Sequence, residues 1–470
     1  MLLRNFLNLE TSKTPVDAQS VPAERETVDV PKSGGVNLRR LLTAIVLVAA
    51  FAELSYTTVN MSAMPVYIQF GIKIDRSWIA ICSLVFIAME GLLKSPMGIL
   101  GDRYGRKILM VVGPLVSVVT ALLTPHVANG YVLVLLRILD GVGAAALWPA
   151  AFSLIGDHVP ENKRAGAMSL FNLAYLVGIA LGPALGGEVN FRAYHYLRTT
   201  FGLSREVAFA HSKEASFYLA AVMFAVTAFV AFVMLPNSPP TAPQRTSHEA
   251  GHEHAGEGGF NGKEFIIMLG RMPMTLLMTL ITFLGVGLVI PYFKLFTLEH
   301  FHLTERQFGL LMIGPALVVA SLAIPMGRLG DKIGKARAVQ IGIGICTLSF
   351  WLLILVSHQW SLLLMGSLLG IGSAIAFPAW MALITTECDS KQRGAVVGAV
   401  GTAQGIGALI GVVLSSFLDK LGAFNLFGLS IPAHGTPFLG CAVMLTVSFV
   451  LGLFTLRDNP QYAKAHVAPP

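Results

Sequence analysis

The sequence predicts an all-α polytopic membrane protein, with twelve transmembrane helices arranged as two homologous six-helix bundles. Three observations carry that prediction. First, of 470 residues 54 % are apolar and only 13 % are charged, half the roughly 25 % charge of an ordinary soluble protein. A membrane helix needs about 20 apolar residues, so this supply suffices for about twelve spans. Second, the basic residues cluster. With a cytoplasmic N-terminus, the cytoplasmic segments hold 22 of the 33 Lys and Arg, the outer loops hold 9 when Lys294 at the outer edge of its span is counted with them, and Lys94 and Arg137 fall deep inside spans. That asymmetry is the positive-inside rule. It accounts for the net charge of +7 without a nucleic-acid partner. Third, the chain repeats itself at an offset of 229. A soluble enzyme, a disordered scaffold and a nucleic-acid-binding domain are excluded as the main reading.

Residues 1–38 are polar, contain Pro15, Pro22 and Pro31, lack the apolar core of a signal peptide, and are expected to form a cytoplasmic tail. Spans are predicted near 40–64, 78–99, 108–128, 131–155, 165–187 and 214–235. After the linker come 272–296, 308–327, 338–357, 361–385, 395–417 and 437–456. The first bundle thus occupies 39–235 and the second 263–457, with a cytoplasmic tail at 458–470. The linker 236–262 is rich in Pro, Gly, His and Glu, as a solvated connection is. Its His248, His252 and His254 lack the preorganisation a metal site needs. Outer loops 188–213 and 418–436 are long, and the first carries interface aromatics (Phe191, Tyr194, Tyr196). No CxxC pair occurs among the four cysteines, so neither a disulfide framework nor a zinc site is expected.

The repeat fixes the architecture. Pro96-Met97-Gly98-Ile99-Leu100-Gly101-Asp102-Arg103-Tyr104-Gly105-Arg106-Lys107 aligns with residues 325–336, and seven of these twelve positions are identical. The register continues without a gap, pairing Gly141, Gly143 and Pro149 with Gly370, Gly372 and Pro378, and Gly178 and Gly182 with Gly407 and Gly411. Two homologous halves in a bilayer suit a transporter whose site lies between them.

These residues carry a resemblance to the major facilitator superfamily. The segment Gly98-x-Leu100-Gly101-Asp102-Arg103-x-Gly105-Arg106-Lys107 resembles the family's signature loop, with Gly101 where Ala is more usual. Arg137-x-x-Asp140-Gly141-x-Gly143 resembles a second family motif. Gly178-x-x-x-Gly182-Pro183-x-x-Gly186-Gly187 resembles the motif that marks antiporters. The resemblance covers about residues 40–457. It implies the major facilitator fold, cytoplasmic termini, and alternating access to a cavity lined mainly by spans 1, 4, 7 and 10. It also implies that the signature loop staples the cytoplasmic side shut when the cavity faces outward. Asp102, Arg103, Arg106 and Asp157 are the expected members, and Gly327, Asp331, Lys335 and Glu387 form the second copy.

Five ionisable residues are placed inside spans: Glu53, Glu90, Lys94, Arg137 and Asp140. Each costs roughly 2.5–3.5 kcal/mol at the bilayer centre, and such residues are functional by default. Their mates at offset 229 are Thr282, Val319, Ala323, Gly366 and Leu369, so the charge chemistry belongs to the first half. Glu90 and Lys94 are i,i+4, and Arg137 and Asp140 are i,i+3, spacings that pair along a helix. Glu53 is left without a local partner. At 1.5 Å per residue, Glu53, Arg137 and Asp140 fall near one level. They are the expected proton-coupling set, in which a nearby Arg tunes the carboxylate. In the second half Phe283, Tyr292, Phe377, Trp380 and Met381 are the expected apolar wall of a substrate cavity.

The function expected is a secondary active transporter: a proton-coupled antiporter exporting a hydrophobic or amphipathic small molecule. It is expected to act as a monomer in the cell membrane, without a cofactor or metal. One rival reading is a proton symporter of an organic anion, held by Lys94 and Arg137, with a lipid flippase as a variant. A membrane sensor without transport is the rival of another class. No nucleotide-binding P-loop is present, which argues against ATP drive, and the one HExxH string, His248-Glu249-Ala250-Gly251-His252, falls in the solvated Pro- and Gly-rich linker and not on an expected helix.

Overall fold

The structure, a computed structural model, describes residues 38–159, 161–236, 273–356, 358–386, 393–426, 429–432 and 434–456. The first half contains α1 (Leu38–Gly71), α2 (Ser77–Tyr104), α3 (Arg106–Leu123), α4 (Gly130–His158), α5 (Glu161–Thr200) and α6 (Arg205–Met234). The second contains α7a (Pro273–Val289), α7b (Phe293–His300), α8 (Glu305–Ile333), α9 (Lys335–Leu355), α10 (Trp360–Thr386), α11 (Arg393–Leu418) and α12 (Thr436–Thr455). Among the described residues ten of these are long and apolar enough to cross a membrane. The α7a–α7b pair, bent by 53°, makes an eleventh. Helix α8, with 29 residues, completes the twelve predicted positions.

Two sequence expectations change. The predicted outer loop 188–213 is mostly helix, because α5 runs 40 residues to Thr200 and α6 starts at Arg205. Polar residues end the apolar run there without ending the helix. Glu188 and Arg192, paired at 2.8 Å across i,i+4, support the extension. In 418–436 the fold is not wholly α: β1 (Phe424–Leu426) pairs antiparallel with β2 (Leu429–Ile431). Phe424 faces Ile431 and Leu426 faces Leu429, the cross-strand apolar pairing that holds a short hairpin.

Packing repeats the symmetry seen in the sequence. Helix α1 packs on α5 and α2 on α4, as α7a packs on α11 and α8 on α10. The two seams between the halves, α5 on α8 and α2 on α11, are themselves related by the repeat. One departure is local. After Thr57, α1 widens into π-helix at Thr58–Ala63 and again at Tyr67–Gly71. Thr57 and Thr58 turn their hydroxyls back to the carbonyls of Glu53 and Leu54, each at 2.7 Å. Pro65 follows with no N–H to give. Both effects loosen the regular ladder, and such widened turns recur at functional sites.

Candidate functional site

The signature loop owes its shape to one residue in each half. Gly105 alone joins α2 to α3, at φ 97° and ψ 136°. Its repeat mate Gly334 joins α8 to α9 at φ 96° and ψ 143°. Side-chain-bearing residues avoid this region, so only glycine makes the join without strain. The junction brings Arg106 against α4, where its Nη1 donates to the Ser153 carbonyl at 2.8 Å. Arg103 is exposed with its guanidinium over the Tyr104 ring, and Gly98 lies on α2 facing Pro149. Lys335 is half-buried at the start of α9. Glu387 and the side chains of Asp102, Asp157 and Asp331, like the surroundings of Gly327, lie outside the described residues.

The glycines of the antiporter-like motif have one shared task. A Cβ on Gly178 would stand 2.7 Å from the Cβ of Glu53, and one on Gly182 would collide with Thr57. Their bare backbones let α5 lie directly on α1. The Thr57 and Thr58 hydroxyls then reach the carbonyls of Gly178 and Gly182 at 3.1 Å each. Pro183 is buried in this contact. Gly186 meets Ser62 of α1, whereas Gly187 meets the Glu305 backbone of α8. The motif therefore sets both the depth of Glu53 and part of the seam between the halves.

Beside that contact a cavity of about 170 Å³ opens. Helix α1 contributes Glu53, Tyr56, Thr57 and Asn60, and α2 contributes Ser83, Phe86, Ile87 and Glu90. Ala144 and Trp148 of α4, Tyr175 of α5 and Ile290 complete the wall. Glu53 is 7 % exposed, and its carboxylate has no ion-pair partner among the described residues. Trp148 stands edge-on to Tyr175 at 5.4 Å between ring centres, and Tyr56 lies 5.9 Å from Phe86. The Tyr56 hydroxyl is anchored 3.1 Å from Ser117 Oγ.

The other intramembrane charges are paired as their spacing predicts, but they are distributed differently around Glu53. Arg137 Nη1 meets Asp140 Oδ2 at 2.8 Å, both side chains 1 % exposed, and Thr120 donates to Asp140 Oδ1 at 3.2 Å. This pair faces α3 and does not line the cavity. Glu90 does, and it is paired to Lys94 at 2.8 Å. Glu90, paired with Lys94, shares the cavity of Glu53. Level along the membrane was legible in the sequence, but helix rotation was not.

The expected second-half wall lies elsewhere. Among the described residues Ile290 is the second half's contribution to the lining of this cavity, which α1, α2, α4 and α5 otherwise form. Tyr292 is buried, with Arg76 5.3 Å over its ring, and is not among the residues lining the cavity. Trp380 packs into the second half's own core with Leu276, Ile375 and Val400. Phe377 is half exposed, Phe283 is partly buried away from the cavity wall, and the Met381 side chain lies outside the described residues. Thr282, the mate of Glu53, shares a 2.7 Å hydrogen bond with Ser448.

At the end of the bundle bearing loops 72–76 and 419–435, which the charge rule assigns to the outside, the halves are tied together. Arg76 meets Glu299 and Asp419, both at 2.9 Å. His434 Nδ1 lies 3.3 Å from Asp419. Burial raises the Asp419 carboxyl, while Arg76 and His434 oppose the rise. Hydrogen bonds from Ser77 hold the neighbouring Asp75 below the usual carboxylate range. A second knot centres on Glu305, which receives Lys213 of α6, Lys294 of α7b at 2.8 Å and Asn190 at 2.9 Å. Lys294 is fully buried and also donates to Ser62 Oγ at 2.7 Å. Arg306 meets Glu188 at 3.0 Å. Among the described residues every ion pair joining the halves lies at this end. Sequence reading missed these residues, although Lys294 sits inside a predicted span and should have been counted with the five.

The sequence profile of the Major Facilitator Superfamily matches residues 45–272 and 275–468. The chain belongs to the Major Facilitator Superfamily. As a superfamily member it is a multi-pass membrane transporter built of two helical repeats. It is similar to an uncharacterized transporter of this type from Methanocaldococcus jannaschii, at 25 % identity over 71 % of the chain and 80 % of that protein. A multidrug resistance protein MdtG from Dickeya zeae is 28 % identical over 70 % of the chain and 74 % of its own length. Among solved structures, the nucleoside transporter NupG superposes with a TM-score of 0.66 at 12 % identity, over 89 % of this chain and all of that one. An inward-facing bacterial homologue of the lysosomal transporter Spinster superposes with a TM-score of 0.66 at 15 % identity, over 88 % and 94 %. These superpositions show that the superfamily fold is shared.

Proposed function

We propose that this superfamily member is a proton-coupled antiporter that exports hydrophobic or amphipathic small molecules by alternating access. The observation that carries the reading is Glu53. It is a carboxylate without an ion-pair partner among the described residues, at the wall of a cavity, on a half whose mate carries Thr282. A group with those properties can take a proton in one conformation and give it up in another. The multidrug resistance name of the MdtG relatives supports export. The organic-anion reading loses ground, because Lys94 and Arg137 are both engaged by carboxylates. A ligand found by thermal shift on the purified protein and then followed in proteoliposomes tests the reading. A pH step, with the acid on the side to which no substrate is added, should drive its accumulation on that acid side, and a sensor would bind without moving it.

The chain acts in the cell membrane as a monomer, with bundles at 39–235 and 263–457 and both termini and the 236–262 linker in the cytoplasm. Cysteines introduced at Ser247 and Ser204, in a background without the four native cysteines, should label from opposite sides of intact cells. Labelling of both from outside would overturn this topology.

The signature loop is the cytoplasmic gate. Gly105 and Gly334 bring helix ends together at that face, and the charges around Asp102 can pair only when the ends approach. Asp102→Asn is expected to cut transport roughly tenfold while substrate binding stays within about twofold, since about 1.4 kcal/mol is lost from one gating state only. Transport at the normal rate would remove Asp102 from the gate.

A further inference from the structure

We infer that the second half binds an anionic phospholipid, with one acyl chain in a groove between α9 and α12 and the phosphate at Arg337. The groove measures about 540 Å³, the volume of about eighteen water-sized groups at about 30 Å³ each, which is the size of one long acyl chain. Ile341, Gly344 and Leu348 of α9 line it, with Phe449 and Leu453 of α12. Gly344 makes the depression. A Cβ there would stand 2.9 Å from the Phe449 ring, so the bare backbone lets that ring lie back against α9. The polar groups in the wall are already engaged. Gln340 donates its amide to the carbonyls of Gly452 and Leu456 at 2.9 and 3.2 Å. Thr347 donates to the Ile343 carbonyl at 2.8 Å, and the Trp351 indole N–H to Thr446 Oγ1 at 3.0 Å. A polar guest would lose its water without gaining a partner here. An aliphatic chain needs none.

Arg337 marks the headgroup end. It precedes Ile341 by four residues and Gly344 by seven, so all three share one face of α9. Its side chain is exposed and meets no carboxylate among the described residues, which leaves its charge for a phosphate. Helix α9 is long and apolar enough to cross the membrane. The rise from Arg337 to Trp351 is about 21 Å at 1.5 Å per residue, and one leaflet with its headgroup layer is about 20–22 Å deep. The groove therefore has the length of one lipid. Arg337 lies at the end that the charge rule assigns to the cytoplasm, so the lipid comes from the inner leaflet. The repeat sharpens the point. At these two positions α3 carries Ile108 and Leu115, both exposed, so the first half offers neither the cation nor the gap in this register.

Trp351, at the deep end of the groove, reports the chain, because bromine quenches indole fluorescence only at short range. The full-length protein is reconstituted in unlabelled phosphatidylcholine with a small, equal fraction of brominated phosphatidylglycerol or brominated phosphatidylcholine. The Trp351 signal is the difference between the wild-type protein and Trp351→Phe. Brominated phosphatidylglycerol should quench it at least threefold more than brominated phosphatidylcholine. Arg337→Gln should erase that preference, and Arg337→Lys should keep most of it. Gly344→Leu, which fills the groove, should bring quenching by the glycerol lipid down to the level of the choline lipid. If Gly344→Leu fails to fold, the exposed Arg337→Gln decides alone. Equal quenching by the two lipids in the wild-type protein, which is bulk lipid contact only, would overturn the inference. A preference untouched by Arg337→Gln would overturn it as well.

Discussion

Glu53→Gln is expected to abolish accumulation driven by a pH gradient, down to the level of protein-free liposomes, while the protein folds and binds a neutral substrate normally. Gln reproduces the shape and hydrogen bonding of a protonated Glu and cannot release a proton. Glu53 is nearly buried, with the bare backbone of Gly178 against its Cβ. A substitute of the same size is therefore tolerated by the packing. Substrate exchange at equal pH should survive, because exchange moves no net proton. If gradient-driven accumulation persists, Glu90 is the next candidate, since it shares the cavity.

Glu305→Gln should loosen the tie between the halves at the end bearing loop 72–76. In the closed structure one carboxylate neutralises Lys213 and Lys294, whose side chains are 5 % and 0 % exposed. Removing its charge leaves two buried ammonium groups uncompensated, a penalty of about 3–5 kcal/mol for a broken buried pair. When the halves separate at this end both lysines regain water, so the penalty falls on the closed state alone. At 1.4 kcal/mol per tenfold, the population should move toward the open state by a hundredfold or more. A cysteine at Asn60, in the cavity wall, should then react with an impermeant reagent added outside. The same cysteine with Glu305 intact should be protected. Equal protection in both would show that the Glu305 knot does not hold this gate.

What was legible in the sequence was whatever follows from counting and register. Composition dictates the spans, the offset of 229 dictates the two halves, and i,i+3 and i,i+4 spacing dictates the Arg137–Asp140 and Glu90–Lys94 pairs. The glycine motifs were legible as motifs, and their physical task emerges only where α5 meets Thr57 and Thr58. Two kinds of fact were not legible. Rotation about a helix axis decides whether a residue at the right depth faces the cavity, so Asp140 was expected beside Glu53 and Glu90 stands there instead. Contacts across more than 200 residues, such as Arg76 with Glu299 and Asp419, leave no spacing signal at all. Each partner reads as an ordinary loop charge until the halves are brought together.

The direction of proton movement tests the central claim most directly. Proteoliposomes loaded with a fluorescent pH indicator, at equal pH on both sides and with the potential clamped, are given substrate from outside only. Antiport through Glu53 predicts that the lumen turns alkaline as substrate enters and protons leave, and that Glu53→Gln abolishes the change. Acidification of the lumen, or substrate entry with no pH change in the wild-type protein, would contradict it.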